Sequence, residues 1–206
     1  MKKSAWLTYF FTCLVVTSMI FIATSCANIV PPTGGPRDSL PPYLIATKPQ
    51  DSALGIKPKE IMLAFNEYVN TTDIFNNFVI NPAIKNTPQI DYKLNVVRIK
   101  ITDTLADNTT YSLQFGNAIR DVNENNVAKN LTYVFSTGQQ IDTGSFFGKV
   151  QMAETGLIDS TLIVGLYPVE NDSAVFKSNP PFIAKINGQG RFAFHFLPNK
   201  KFNAYV

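Results

Sequence analysis

Residues 131–138 read Leu131-Thr132-Tyr133-Val134-Phe135-Ser136-Thr137-Gly138, with Leu131, Tyr133 and Phe135 alternating with Thr132 and Val134. Side chains of an extended strand point to opposite faces in turn, so this run predicts a strand with one face against a core. The same period recurs upstream. Ile61, Leu63 and Phe65 alternate with Met62, Ala64 and Asn66; Val97, Ile99 and Ile101 alternate with Arg98 and Lys100; Tyr111, Leu113 and Phe115 alternate with Ser112 and Gln114. Turn-forming residues separate the runs at Asn81-Pro82, Asp107-Asn108 and Asp121 to Asn126. From Tyr43 onward no sustained helical stripe appears, and Thr71 to Asn77 suits a single turn at most. Short strands at this spacing predict a β-sandwich over 43–138.

Working downstream, a polar linker (139–145) opens a second β region over 146–206. Phe147 to Val150, Leu162 to Tyr167, Phe182 to Ile186, Phe192 to Phe196 and Phe202 to Val206 read as five strands, with Asn187-Gly188-Gln189-Gly190 as a hairpin turn. Working upstream, residues 26–42 carry Pro31, Pro32, Gly34, Gly35, Pro36, Pro41 and Pro42 and little apolar material. Such a segment is extended and semi-rigid, a spacer.

The first 25 residues have another character. Lys2 and Lys3 precede an uncharged, mostly apolar run from Ala5 to Ala23, and small residues lead to a cysteine in Ala23-Thr24-Ser25-Cys26. A basic start, an apolar centre and a small-residue exit predict a signal peptide over 1–25, and so a chain exported from the cytoplasm. The competing reading is an uncleaved anchor helix, since about 20 apolar residues can span a bilayer. The exit resembles the lipobox of bacterial lipoproteins, with Ala23 where that motif usually has Leu. The resemblance implies a diacylated Cys26 as the first residue of the mature chain and a membrane partner reached through that lipid. Cys13 leaves with the leader, so no disulfide is expected. With Lys2 and Lys3 gone as well, the balance of 18 basic and 15 acidic side chains moves close to neutral. That disfavours a nucleic-acid partner, which needs a basic patch.

The sandwich region resembles a known family. Tyr43-Leu44-Ile45 with Pro49-Gln50-Asp51, then Phe65-Asn66-Glu67-Tyr68-Val69, then Leu105 to Tyr111 as L-x-x-x-T-x-Y, then Tyr133 to Gly138, are similar to motifs of bacterial Ig-like domains of the S-layer-protein type. Asp121 to Asn125 sits where that family often has D-x-x-G-N, here without the Gly. Cys26-Ala27-Asn28, Pro32 to Asp38 and Pro41-Pro42 resemble the start of Ig-like-domain lipoproteins from Bacteroidota. In 146–206, G-x-V, V-x-L-Y and G-x-F-x-F-x-x-L-P resemble part of a carboxypeptidase-regulatory-like, prealbumin-type sandwich. The expected class is therefore all-β: an Ig-like sandwich and a second, partial sandwich, after an N-terminal signal helix.

Candidate chemistry is sparse. His195 alternates with Phe192, Phe194 and Phe196 and reads as a solvated strand residue, with no second histidine to share a zinc ion. No Gly-x-Ser-x-Gly elbow and no phosphate-cradling Gly loop occur. Asp121 to Asn126 imitates the first half of a calcium loop but lacks its Gly, and Thr132 stands where the bidentate Glu belongs. Asp and Asn also make tight turns by bonding their own backbone. No cofactor, metal or catalytic residue is therefore expected.

One pattern recurs beyond chance: Asp38-Ser39-Leu40, Asp51-Ser52-Ala53, Asp103-Thr104-Leu105, Asp159-Ser160-Thr161 and Asp172-Ser173-Ala174. These triplets resemble the O-glycosylation acceptor of Bacteroidota envelope proteins, which implies Ser39, Ser52, Ser160 and Ser173 as acceptors; for Asp103-Thr104-Leu105 a structural role is expected. The function expected is non-catalytic: a lipid-anchored envelope protein, at the outer membrane, presenting its modules for adhesion, scaffolding or binding of a protein or glycan. In the lipoprotein group that the chain resembles, acidic residues just after the cysteine mark export to the outer surface, so their absence between Cys26 and Asp38 implies a periplasm-facing anchor. The rival is a spacer or accessory module for an envelope enzyme or polysaccharide-binding system.

Overall fold

The computed structural model describes residues 2–22, 34–169 and 174–206. They form two units, one ending at Arg37 and one running Asp38–Val206. In the first, helix α1 (Lys2–Ile22) is apolar all round, and Trp6, Leu7, Phe10, Phe11, Leu14, Val15 and Val16 stand exposed.

The second unit is all-β. Its first half comprises β1 (Leu44–Lys48), β2 (Glu60–Phe65), β3 (Val69–Thr71), the single turn α2 (Ile74–Asn77), β4 (Val79–Asn81), β5 (Gln89–Lys93), β6 (Val96–Lys100), β7 (Thr110–Gln114), β8 (Ile119–Asp121) and β9 (Thr132–Ser136). Antiparallel pairing gives a sheet β1-β2-β6-β5, a sheet β4-β7-β9 and the ribbon β3-β8. The alternations read in the sequence supply the shared core: Ile61, Leu63 and Phe65 from β2, Val97 and Ile99 from β6, Tyr111 and Leu113 from β7, Tyr133 and Phe135 from β9. Burying each Phe or Leu contributes about 1.5–3 kcal/mol.

The Leu105–Tyr111 motif is a corner. The Ala106 N–H donates to Tyr111 Oη at 3.0 Å, Leu105 is buried, and Thr137 Oγ1 donates to the Ala106 carbonyl at 2.7 Å. A tyrosine hydroxyl that returns to the backbone just upstream pins the crossing strand to the loop before it. The fold takes hold of the chain ahead of residue 43. Asn126 Nδ2 donates to the carbonyls of Asp38 and Leu40, Pro42 is buried, and Asn66 Oδ1 accepts from the Tyr43 N–H. The far end of the predicted spacer is thus part of the folded unit; its residues 26–33 lie outside the described residues.

The second half comprises β10 (Gly144–Lys149), β11 (Ile163–Pro168), a 3-10 turn (Ala174–Phe176), β12 (Phe182–Lys185), β13 (Arg191–Leu197) and β14 (Phe202–Tyr205). A ribbon β10-β13 faces a sheet β12-β11-β14 over a core of its own: Val164, Leu166, Phe182, Phe192, Phe194 and Leu197 among others. One detail departs from the alternation. Phe196 was expected to share the inner face with Phe192 and Phe194; instead its φ is +60°, and the register slips between the pairs Gly144↔Leu197 and Phe146↔Phe194. This is a bulge, two residues opposing one, and it hands the inward position to Leu197. Gly144 permits it, because a Cβ there would collide with the Leu197 carbonyl oxygen.

The two sandwiches meet along a seam. Asn81, buried at the end of β4, donates through Nδ2 to the Ile183 carbonyl and accepts the Ile183 N–H on Oδ1, both at 2.9 Å. The Ala83 N–H adds a bond to the Pro181 carbonyl at 2.7 Å. Pairing of β11 with β12 and β14 leaves β12 an edge strand. The Asn81 amide therefore acts as one residue of a neighbouring strand and satisfies both groups of Ile183.

Candidate functional site

Cys26 and Ser173 lie outside the described residues. The remaining candidate acceptors, Ser39, Ser52 and Ser160, are all exposed, in three different settings. In Asp38-Ser39-Leu40, Asp38 Oδ1 accepts the Leu40 N–H at 2.9 Å. In Asp159-Ser160-Thr161, Asp159 Oδ1 accepts both the Thr161 hydroxyl at 2.6 Å and the Thr161 N–H at 2.9 Å. Those two bonds hold the Asp159 carboxyl below the usual aspartate range. Both are turns in which the aspartate folds back over the serine and leaves its hydroxyl outward.

Ser52 differs. Asp51 reaches across to the Val134 N–H, and Ser52 sits at φ +63° with its own N–H on the Val134 carbonyl. Asp103-Thr104-Leu105 is tied on both sides. Asp103 accepts from the Asn86 backbone at 2.6 Å and from its side chain, which lowers its pKa, and Leu105 is in the core. The structure thus groups Ser39 with Ser160 and sets Ser52 apart, a distinction the triplet pattern did not carry.

The Asp121 loop has its own answer. The Asp121 carboxylate is buried and accepts three backbone N–H groups, from Glu124 at 2.6 Å, Asn125 at 2.7 Å and Asn126 at 2.9 Å. Burial alone would raise its pKa, but these bonds outweigh it and hold the carboxyl below its ordinary value. Its oxygens are committed to the turn, and Asn125, at φ +67°, takes the left-handed position the loop needs. Among the described residues no cluster of three potential metal ligands occurs. Nearby, Glu67 has its pKa raised by burial first and then by the charges of Asp121, Asp38 and Glu124. His195 is exposed on β13 beside the Phe196 ring.

Two apolar surfaces went unread in the sequence. At the end of the first sandwich where the chain comes in, Leu40, Tyr43, Tyr68, Leu94 and Val122 are all exposed. Backbone bonds bring their segments together: Asn66 N–H to Tyr43, Val69 N–H to Leu94, Val122 N–H to Tyr68. Leu94 sits at φ +56° in the turn between β5 and β6, held there because Asn95 bonds both backbone groups of Phe65. The second surface is a cleft of about 510 Å³ in the second sandwich, open between β10 and β14. Phe146, Leu166, Leu197 and Phe202 form its apolar floor, and Lys200 sits on its rim.

The tyrosine corner, the two facing sheets and the motif strands converge on one assignment. Residues 38–137 match the bacterial Ig-like domain. The match begins at Asp38, where Asn126 takes hold of the chain, and covers the strands β1 to β9. The Ig-like domain is a non-catalytic fold. Solved structures similar to the chain include two of S-layer proteins. One is the S-layer protein rSbsC, 15% identical, with 74% of this chain and 19% of that one covered and a TM-score of 0.34. The other is the N-terminal part of the bacterial S-layer protein SbsC, 15% identical, with 79% and 37% covered and a TM-score of 0.34. The chain spans well under half the length of either. No curated protein matches it.

Proposed function

We propose that the chain is a lipoprotein of the cell envelope, acylated at Cys26, that holds a non-catalytic Ig-like domain and a second β-sandwich away from the outer membrane for adhesion or scaffolding. The observation that carries this reading is the arrangement around Cys26. An apolar, exposed helix ends at Ile22, the small-residue exit and Cys26 follow, and the Ig-like domain begins at Asp38. Two acyl chains on one residue suffice for stable anchoring, since each buried methylene contributes about 0.8 kcal/mol. The Pro/Gly segment between then acts as a short stand-off.

Protease treatment of intact cells, with membranes fractionated in parallel, tests the placement. Loss of the chain from intact cells means display on the outer surface and favours adhesion; protection until the outer membrane is broken means a periplasm-facing scaffold. Recovery of the chain in the soluble fraction would contradict both.

The same reading includes glycan acceptors at Ser39, Ser52, Ser160 and Ser173. The exposed hydroxyls of Ser39 and Ser160, each in a turn closed by the preceding aspartate, are the support for the first and third. Mass spectrometry of the purified chain should find added hexose mass on peptides holding Ser39 and Ser160. Bare peptides at both sites would remove this part of the reading and leave the anchoring untouched.

A further inference from the structure

The exposed apolar residues Tyr43, Tyr68, Leu94 and Val122 gather at the end of the Ig-like domain where the chain enters from Cys26. β2 runs from Glu60 at one end of the sandwich to Phe65 at the other, and the Phe65 N–H bonds the turn that holds Leu94. The chain leaves the domain at the Glu60 end, where the Gly55 N–H donates to the Gly138 carbonyl and Lys57 pairs with Asp107. From Cys26 to Asp38 the chain spans at most about 40 Å even fully extended, at about 3.3–3.6 Å per residue. A lipid on Cys26 would therefore hold the entry end within reach of the bilayer, at a high effective concentration.

Folding does not explain Leu94. It is the first residue of the two-residue turn between Lys93 and Val96, at φ +56° and exposed. That backbone conformation suits glycine, and a leucine there strains the chain without burying its side chain. Strain kept at an exposed apolar residue points to a contact outside the chain. Its neighbours suit a boundary between water and lipid. Tyr43 and Tyr68 each join an apolar ring to a polar tip, the combination that sits at headgroup level. Acids share this end: after burial, the charges of Asp121, Asp38 and Glu124 raise the Glu67 pKa. They oppose an anionic surface, and a second copy of the same end, and favour a zwitterionic lipid surface.

We propose, on the reading of Cys26 as the lipid anchor, that Leu40, Tyr43, Tyr68, Leu94 and Val122 form a lipid-docking face. It seats the entry end of the Ig-like domain in the headgroup layer of the bilayer that holds Cys26. The Pro/Gly segment then sets the longest reach of the domain, and the second sandwich is the part that stays held away.

The test uses the full chain, isolated from membranes and reconstituted in phosphatidylcholine vesicles, with Trp6→Phe so that an introduced tryptophan is the single indole. Flotation reports the anchor, and quenching by phosphatidylcholine brominated on its acyl chains reports the docking. Tyr68→Trp should be quenched about twofold or more, because a docked face lies about 5–10 Å into the headgroup and acyl boundary. Val122→Trp serves as the reporter if Tyr68→Trp misfolds. Leu54→Trp, exposed beside Gly55 at the opposite end, should float equally and stay unquenched. Leu94→Gly with Tyr43→Ser, added to Tyr68→Trp, should remove most of the quenching while the urea midpoint holds, because glycine suits the turn. A floating chain in which Tyr68→Trp is no more quenched than Leu54→Trp would overturn the docking and leave the anchor standing. A chain that does not float would overturn both. Quenching that needs added phosphatidylglycerol, or that survives Leu94→Gly with Tyr43→Ser, would also overturn the docking, since charge or another face would then hold the domain. So would a dimer in sedimentation velocity that Leu94→Gly with Tyr43→Ser dissolves, because it would make a second copy the occupant.

Discussion

Replacing Asn81 by Ala tests the seam between the two sandwiches. Asn81 is buried, and its amide gives Ile183 both a donor and an acceptor at 2.9 Å. Truncation leaves the Ile183 N–H and C=O without a protein partner. Each buried group so stranded costs about 1–3 kcal/mol, and because Ile183 is half-exposed on its edge, water recovers part of that. The expected loss is about 2–4 kcal/mol in the second sandwich, whose neighbouring bond from Ala83 to Pro181 remains. Hydrogen–deuterium exchange of the Ile183 amide reads this directly: at 1.4 kcal/mol per tenfold, exchange should accelerate by about 30-fold or more. Asn81→Asp separates the two bonds. Its carboxylate still accepts the Ile183 N–H but opposes the Ile183 carbonyl, so stability should fall while that amide keeps most of its protection. If Ile183 exchanges in Asn81→Ala as slowly as in the parent, the seam is held by apolar packing and the strand-mimic argument is wrong.

Three further substitutions probe the Ig-like domain. Tyr111→Phe removes the acceptor of the Ala106 N–H and should cost about 1–3 kcal/mol in urea unfolding, with no change in the circular dichroism spectrum. Asp121→Asn exchanges a carboxylate holding three N–H groups for an amide whose single oxygen cannot hold all of them, and should cost about 1–3 kcal/mol at pH 7. The folded-state pKa of Asp121 lies below its unfolded value, so its stabilisation is present above the ordinary aspartate pKa and drains away as pH falls through the folded pKa. The gap between the parent and Asp121→Asn should accordingly begin to narrow below about pH 4 and close only as pH falls through the lower folded pKa, as unfolding titrations would show. Ser112→Ala removes a buried hydroxyl with no hydrogen-bond partner among the described residues, and should leave thermal stability unchanged or raise it by up to about 1 kcal/mol.

Where a strand was long and half-buried, the chain announced it. Ile61, Leu63 and Phe65 carry their period over the whole of β2; β9 shows the same period through Tyr133 and Phe135, but Val134 and Ser136 on its other face are buried too, so the expected half-buried strand is buried on both faces. The ribbon β3-β8 and strand β4 have three residues each, too few for a period of two to show. At Phe196 the alternation itself misled: the bulge depends on Gly144 of another strand, a contact that sequence order conceals. Asn81 was legible only as half of a turn signal, because its work lies about a hundred residues away, on Ile183. The candidate acceptors were readable as triplets; that Ser39 and Ser160 share a turn and Ser52 does not follows from where each aspartate finds its donor. The cleft between β10 and β14 left no local trace, since residues as far apart as Thr143 and Ala204 come to line it only when the strands pair.

The central claim is anchoring through Cys26, and the mass of the mature N-terminus tests it most directly. Chain extracted from membranes with detergent and digested should yield an N-terminal peptide that begins at Cys26 and carries the mass of at least two acyl chains. A peptide beginning at Met1, or one with an unmodified Cys26, would contradict the account and make the apolar segment an anchor helix or a simple secretion signal.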